Sequence, residues 1–234
     1  MDAVASRDFA AEFLAAGAIL AAHLSRLSED LILWSSQEFG FVEISDAYAT
    51  GSSIMPQKKN ADIAELTRGK TGRAFGNLIA LLTTMKGLPM TYNKDLQEDK
   101  EPLFDTADAL EAALEVFAGM MATLRVSRES MLRATERGHL TATDLADYLA
   151  KRGMPFRDAH HVVGRLVAKA SAEGRALTEL PLEALRAESA LIGPDVYEAM
   201  SLRASLESRI SLGGTATKQV KRQLRRVRAL LGKS

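Results

Sequence analysis

The sequence predicts an all-α protein: a bundle of long helices followed by a smaller domain of short ones. Three observations carry that expectation. Apolar and small residues recur three and four apart over three long stretches. Later, glycine, proline and capping residues cut the chain into short helical runs. Strand-like alternation is confined to a few residues at Phe41 to Ile44.

The first long helix is expected from Arg7 to Gln37, with a heptad seam of Ala10, Phe13, Gly17, Leu20, Leu24, Leu27, Leu31 and Trp34. At 1.5 Å per residue it is about 45 Å long, longer than a compact domain of this size ordinarily needs. A second is expected from Asp62 to Met85, with Gly69, Gly72, Gly76 and Ala80 along one side, where a neighbouring helix could approach closely. A third, from about Pro102 to Leu124, repeats the seam with Phe104, Ala107, Leu110, Leu114, Phe117, Met121 and Leu124. Three long helices with seams imply a bundle. Their apolar surface exceeds what the chain covers alone, so partner subunits are expected to complete it, the alternative being a monomeric bundle folded back on itself.

After Leu124 the helices shorten. Thr143 is placed to cap "DLADYLAKRG", Gly153 ends it, and Pro155 falls in the first turn of a helix running to about Lys169. "ELPLEALRAES" and "GPDVYEAMSLRASLES" read as further short helices, and Gly213 to Thr215 precede a basic terminal helix, "KQVKRQLRRVRALL". The domain boundary is set near residue 125, giving a bundle domain over 1–125 and a small helical domain over 126–234.

The 234 residues are 47% hydrophobic and 26% charged, as in ordinary soluble domains, and thirty basic residues balance thirty acidic ones. No global field draws the chain to nucleic acid or an anionic membrane. The last helix is basic, but Val220, Leu224, Val227 and Leu231 give it an apolar face and no aromatic residue offers a base a stacking platform. Cysteine is absent, which removes disulfides, thiolate metal sites and a cysteine nucleophile. No unbroken apolar run reaches the roughly 18 residues of a membrane helix, and "MDAVASRDF" lacks the order of a signal peptide. A cytoplasmic protein is expected, with no cofactor and no metal. His160 and His161 are adjacent and so point about 100° apart on a helix, with no carboxylate four residues away; with His23 and His139 they are assigned to structure.

Between the first two helices lie about 24 residues, Glu38 to Ala61, with almost no regular pattern. Loops of that length inside a domain are usually functional or disordered. Phe39, Phe41, Val42, Ile44 and Tyr48 are available to dock its base, while "TGSSIMPQKKN" at Thr50 to Asn60 forms a glycine-led tip. It lacks the spacing of a phosphate-binding loop and of a nucleophile elbow. Its lysines stand just before a helix N-terminus, where unpaired N–H groups and the dipole already favour an anion. A serine in that field suits a base rather than a nucleophile.

"GSSIMPQKKN", with "MDAVASRDF", "GLPMTYNKDLQEDKE" and "GMPFRDAH", resembles the fumarase/aspartase superfamily of β-elimination lyases and, within it, the argininosuccinate lyases. The resemblance runs over essentially the whole chain but corresponds only to the C-terminal half of such an enzyme. It implies a homotetramer whose active sites are shared between subunits and whose substrate is argininosuccinate, split into arginine and fumarate. It implies that Ser52 removes the β-proton, and that Lys58 and Asn60 hold the carboxylate that gains charge as the proton leaves. Ser53 is a weaker candidate for binding, and Lys59 a weaker one again. Glu65 would pair with a histidine near the leaving group, although Asp62 and Glu65 read equally well as a helix-capping box. Tyr92, Gln97 and Lys100 would bind substrate, Lys100 at a carboxylate and Tyr92 near the arginine portion. Arg7 matches a family arginine and reads equally as an exposed salt-bridging residue.

Two departures stand out. Asn60-Ala61-Asp62 replaces the usual Asn-Pro-Asp, which loosens the turn into the helix. The N-terminal half, with the expected acid histidine and much of the pocket, is not in this sequence; Met1 aligns with an internal methionine, and the chain alone is expected to be inactive. The rivals are an adenylosuccinate lyase-like enzyme and a non-catalytic, crystallin-like structural protein.

Overall fold

The computed structural model describes residues 2–51, 53–55, 59–135 and 138–232. The chain forms two compact units, Met1–Met131 and Leu132–Ser234. Helices dominate both.

The first unit begins with a short helix, α1 (Asp2–Ala5), followed by α2 (Asp8–Ser35), α3 (Asp62–Met85) and α4 (Lys100–Thr123). Their order is up, down, up. Arg68 at the start of α3 meets Glu29 near the end of α2, and the Thr71 hydroxyl donates to the Ala21 carbonyl at 3.1 Å. Leu14 and Leu81 share one buried cluster with Leu103 packed against it, while Leu24, Leu31, Ala64, Phe117 and Met120 share another at the opposite end. The inward stripe of α2 is Ala10, Leu14, Gly17, Ala21, Leu24, Ser28 and Leu31. This differs from the expected seam, because three-helix packing takes the positions after Phe13, Leu20 and Leu27; Phe13 is 45% exposed. Gly17 is needed where it lies: a Cβ there would stand 3.0 Å from Leu110 and 3.1 Å from Thr106 of α4.

Gly69, Gly72 and Gly76 face open space instead, on the side of α3 that also exposes Leu66, Phe75, Ile79 and Leu82. On α4, Phe104, Leu114 and Met121 are exposed likewise. α4 starts two residues before Pro102, which sits in the first turn, where a missing N–H leaves no helical bond unmade. Helix α2 is long and apolar enough by length and composition to cross a membrane, as core helices of soluble proteins also are.

Short antiparallel pairs bind the connections. β1 (Val42–Glu43) pairs with β4 (Arg125–Val126), tying the segment after α2 to the segment after α4. β2 (Thr50–Gly51) pairs with β3 (Lys59–Asn60). α5 (Arg128–Thr135) follows β4.

The second unit comprises α6 (Ala142–Lys151), α7 (Phe156–Ala172), α8 (Leu182–Glu188), α9 (Val196–Ala199), α10 (Leu202–Ser208) and α11 (Thr217–Leu230). Leu145, Leu149, Val163, Leu166, Leu185 and Ile192 are among the residues of its core. Thr143 lies inside α6 rather than capping it, and Pro155 occupies the N-cap of α7. The Tyr148 hydroxyl donates to Asp195 at 2.9 Å and accepts from the Gly193 N–H at 3.0 Å, while Arg152 stacks on the Tyr148 ring. Desolvation, with the neighbouring Asp195 acting in the same direction, raises the Tyr148 phenol above its ordinary value. His139 accepts from the Leu177 N–H at 3.2 Å and meets the Ser171 hydroxyl at 3.0 Å, whereas His160 and His161 are exposed.

Candidate active site

The loop after α2 rises from a docked base. Val42 and Ile44 are buried with Leu31, Phe117 and Met120. Tyr48 ends a 3-10 turn over Asp46–Tyr48 and lies against α4 at Gly119. Beyond it, the pairing of Thr50 with Asn60 and of Gly51 with Lys59 closes the two arms of the loop.

Ser52 and Lys58 lie outside the described residues. Ser53 is exposed and Asn60 half-buried at the closed base. Lys59 is engaged there: its ammonium is 2.7 Å from Asp46 and 3.8 Å from Glu43. The Lys59 hydrogen bond and charge hold the Asp46 carboxyl below its ordinary value. Asp62 does not form the capping box. No side chain caps α3 at Ala61, and the Asp62 carboxylate instead accepts from the Thr50 N–H at 2.7 Å and from the Thr50 hydroxyl, clamping the loop arms together. Glu65 is exposed one turn further on.

The other candidate residues gather elsewhere. Arg7 is the N-cap residue of α2, and Lys100 is the first residue of α4. Both bind one carboxylate, that of Asp99: Arg7 Nε donates to Oδ2 at 2.5 Å and Lys100 Nζ to Oδ1 at 2.7 Å. Arg7 is therefore an ion-paired residue, but a mostly buried one rather than the exposed one the sequence allows. Asp99 is only 6% exposed. Burial alone would raise its pKa, but the hydrogen bonds and charges of Lys100 and Arg7 outweigh that and hold it below the usual aspartate value. Sequence inspection missed Asp99 because an acid beside a lysine in "LQEDK" looks like a solvated charge run. Gln97 lies in the 3-10 helix Lys94–Asp99, anchored by buried Leu96, and is exposed, as is Tyr92. Tyr92 follows Thr91, whose φ of 87° is a costly conformation for a β-branched residue.

The candidate residues thus form two groups. The loop stands where α2 ends and α3 begins; Arg7, Asp99 and Lys100 stand where α2 and α4 begin. The 28 residues of α2 separate them by about 42 Å at 1.5 Å per residue. The described arms of the loop and Arg7 therefore stand at opposite ends of α2.

Residues 1–76 match the lyase family and residues 139–207 the argininosuccinate lyase C-terminal family. The argininosuccinate lyase of Symbiobacterium thermophilum is 59% identical over 224 residues, covering 96% of this chain and 49% of that protein. That of Methylibium petroleiphilum is 58% identical over 232 residues, covering 99% and 50%. The chain spans about half the length of the curated relatives it matches. Among solved structures, an EDDS lyase variant with bound fumarate superposes with a TM-score of 0.89 at 30% identity, over 99% of this chain and 48% of that one. Class II fumarase from Schistosoma mansoni shares the fold, with a TM-score of 0.70 at 21% identity over 86% of this chain and 40% of that one. The long-helix bundle is that of the fumarase/aspartase superfamily of lyases. Within it, the chain belongs to the argininosuccinate lyase family, whose members are carbon–nitrogen lyases.

Proposed function

We propose that the chain supplies the C-terminal part of a cytoplasmic argininosuccinate lyase, a homotetramer that splits argininosuccinate into arginine and fumarate without a cofactor. Ser52 takes the β-proton of the succinyl moiety. The C–H electron pair is held as an enediolate on the adjacent carboxylate, which Lys58 and Asn60 stabilise, and then forms the C=C bond as the C–N bond breaks. The guanidino nitrogen leaves with the bonding pair and is protonated by an acid from the N-terminal half, near Glu65. Arg7 and Lys100 bind substrate carboxylates, with Ser53, Tyr92 and Gln97 completing the contacts from this chain.

The observation that carries this is the separation of the two residue groups by the length of α2. A loop from one copy meets the cationic end of another only in an assembly, and the exposed apolar faces of α3 and α4 are where such copies would pack. The test combines the chain with a separately expressed N-terminal half of a related lyase and follows fumarate by its ultraviolet absorbance. Turnover of argininosuccinate is expected in the mixture and not from the chain alone. Turnover of adenylosuccinate instead, or full activity of the isolated 234-residue chain, would overturn it.

A further inference from the structure

Resting on that function, we propose that Asp99 is a positioning residue: its buried carboxylate fixes the Arg7 guanidinium and the Lys100 ammonium as one preassembled receptor for a substrate carboxylate. Arg7 and Asp99 are 92 positions apart in sequence, and Lys100 and Arg7 begin different helices. Two like charges brought together at the end of a bundle repel and lose side-chain freedom. One carboxylate between them removes that repulsion and leaves a net charge of +1, which suits an anion.

The geometry divides the donors. A guanidinium has five N–H groups and an ammonium three. Asp99 accepts Nε–H from Arg7, and the Ser6 carbonyl accepts from Nη1 at 2.9 Å. These two bonds hold the guanidinium from opposite sides and fix its plane, which leaves the Nη2 donors for a ligand. Lys100 gives Asp99 one donor while its side chain stays 59% exposed, so its remaining donors face solvent. Asp99 itself is too buried to meet substrate. Its contribution is preorganisation, which strengthens binding by removing ordering cost.

The test is Asp99→Asn, which keeps the shape and removes the charge. In the assembly with an N-terminal half, KM for argininosuccinate is expected to rise at least tenfold while kcat falls by less than threefold, the pattern of lost ground-state binding. A fall in kcat with KM unchanged would assign Asp99 to folding alone and overturn the proposal, as would unchanged kinetics. A second readout does not depend on turnover: in the chain alone, the Arg7 Nε–H gives a slowly exchanging 15N–1H signal that is lost in Asp99→Asn. Its persistence in the variant overturns the proposal even where the assembly is active, whereas an inactive wild-type assembly counts against the function instead. If the variant does not fold, the same signal is followed in the wild-type chain on acidification. Its loss with protonation of a carboxylate below the usual aspartate range supports the proposal, and an insensitive signal overturns it.

Discussion

The hydroxyl end of Tyr48 occupies the space beside Gly119 where any other residue of α4 would carry its Cβ. The contact fixes the end of the 3-10 turn that leads into the loop, so a helix glycine, usually a cost, is here what lets the loop base dock. In Gly119→Ala a Cβ would overlap the phenol. Glycine-to-alanine gains up to about 1 kcal/mol of helix propensity, but forced repacking costs about 1–3 kcal/mol. Net destabilisation is expected in urea unfolding, with part of it recovered by adding Tyr48→Ala. An unchanged midpoint in Gly119→Ala would show that Tyr48 does not need the space.

The two loop lysines are expected to behave differently. Lys59 is committed to Asp46 and Glu43 at the closed base, an exposed arrangement of the kind that contributes about 0.2–1 kcal/mol. Lys59→Met should lower turnover of the assembled enzyme by less than about tenfold, because its charge is directed at protein carboxylates and away from the developing enediolate. Lys58→Met should lower kcat by about 10²–10³, the usual cost of removing one donor to a developing oxyanion. Equal losses from the two substitutions would remove that division of roles.

Acid should expose the Asp99 ion pairs. Its folded pKa lies below the ordinary value of 3.8. The ionised carboxylate therefore stabilises the folded chain above the unfolded value, and that contribution disappears as pH falls through the lower, folded value. The gap in thermal midpoint between wild type and Asp99→Asn should be full near neutrality and shrink below about pH 4. A gap that stays constant to pH 2 would mean that the charge of Asp99 has no part in stability.

The long helices were legible because an amphipathic period of three and four survives in any bundle, and the loop because its residue types cannot serve a core. What the period could not decide was which side of α2 turned inward. Phe13 and Leu14 both fit a seam, and only the close approach of α4 at Gly17 selects Leu14. The Asp62–Glu65 pattern also misled, since a capping box is a local signal and Thr50, twelve residues upstream, takes the carboxylate instead. Asp99 was illegible for the same reason: its meaning lies in Arg7, and sequence adjacency shows only Lys100. Gly69, Gly72 and Gly76 have the spacing of a close-approach surface, but no neighbouring atom lies within 4 Å of a Cβ built at any of them.

That unpartnered surface and the length of α2 together predict complementation between defective copies. Ser52→Ala removes the proposed base from the loop, whose described arms stand at one end of α2, and Arg7→Ala removes part of the receptor at the other end, about 42 Å along the helix by its rise. Each variant assembled with an N-terminal half should be nearly inactive. If every site takes its loop from one copy and its Arg7 from another, random mixing in equal amounts leaves both intact in about one quarter of sites, by the statistics of a closed symmetric oligomer. Denaturing the two variants together and refolding them should therefore restore about one quarter of wild-type turnover, with KM in the restored fraction unchanged. Absence of any recovery, with hybrid oligomers demonstrated by mass spectrometry, would place the loop and Arg7 of one copy in the same site and contradict the separation along α2.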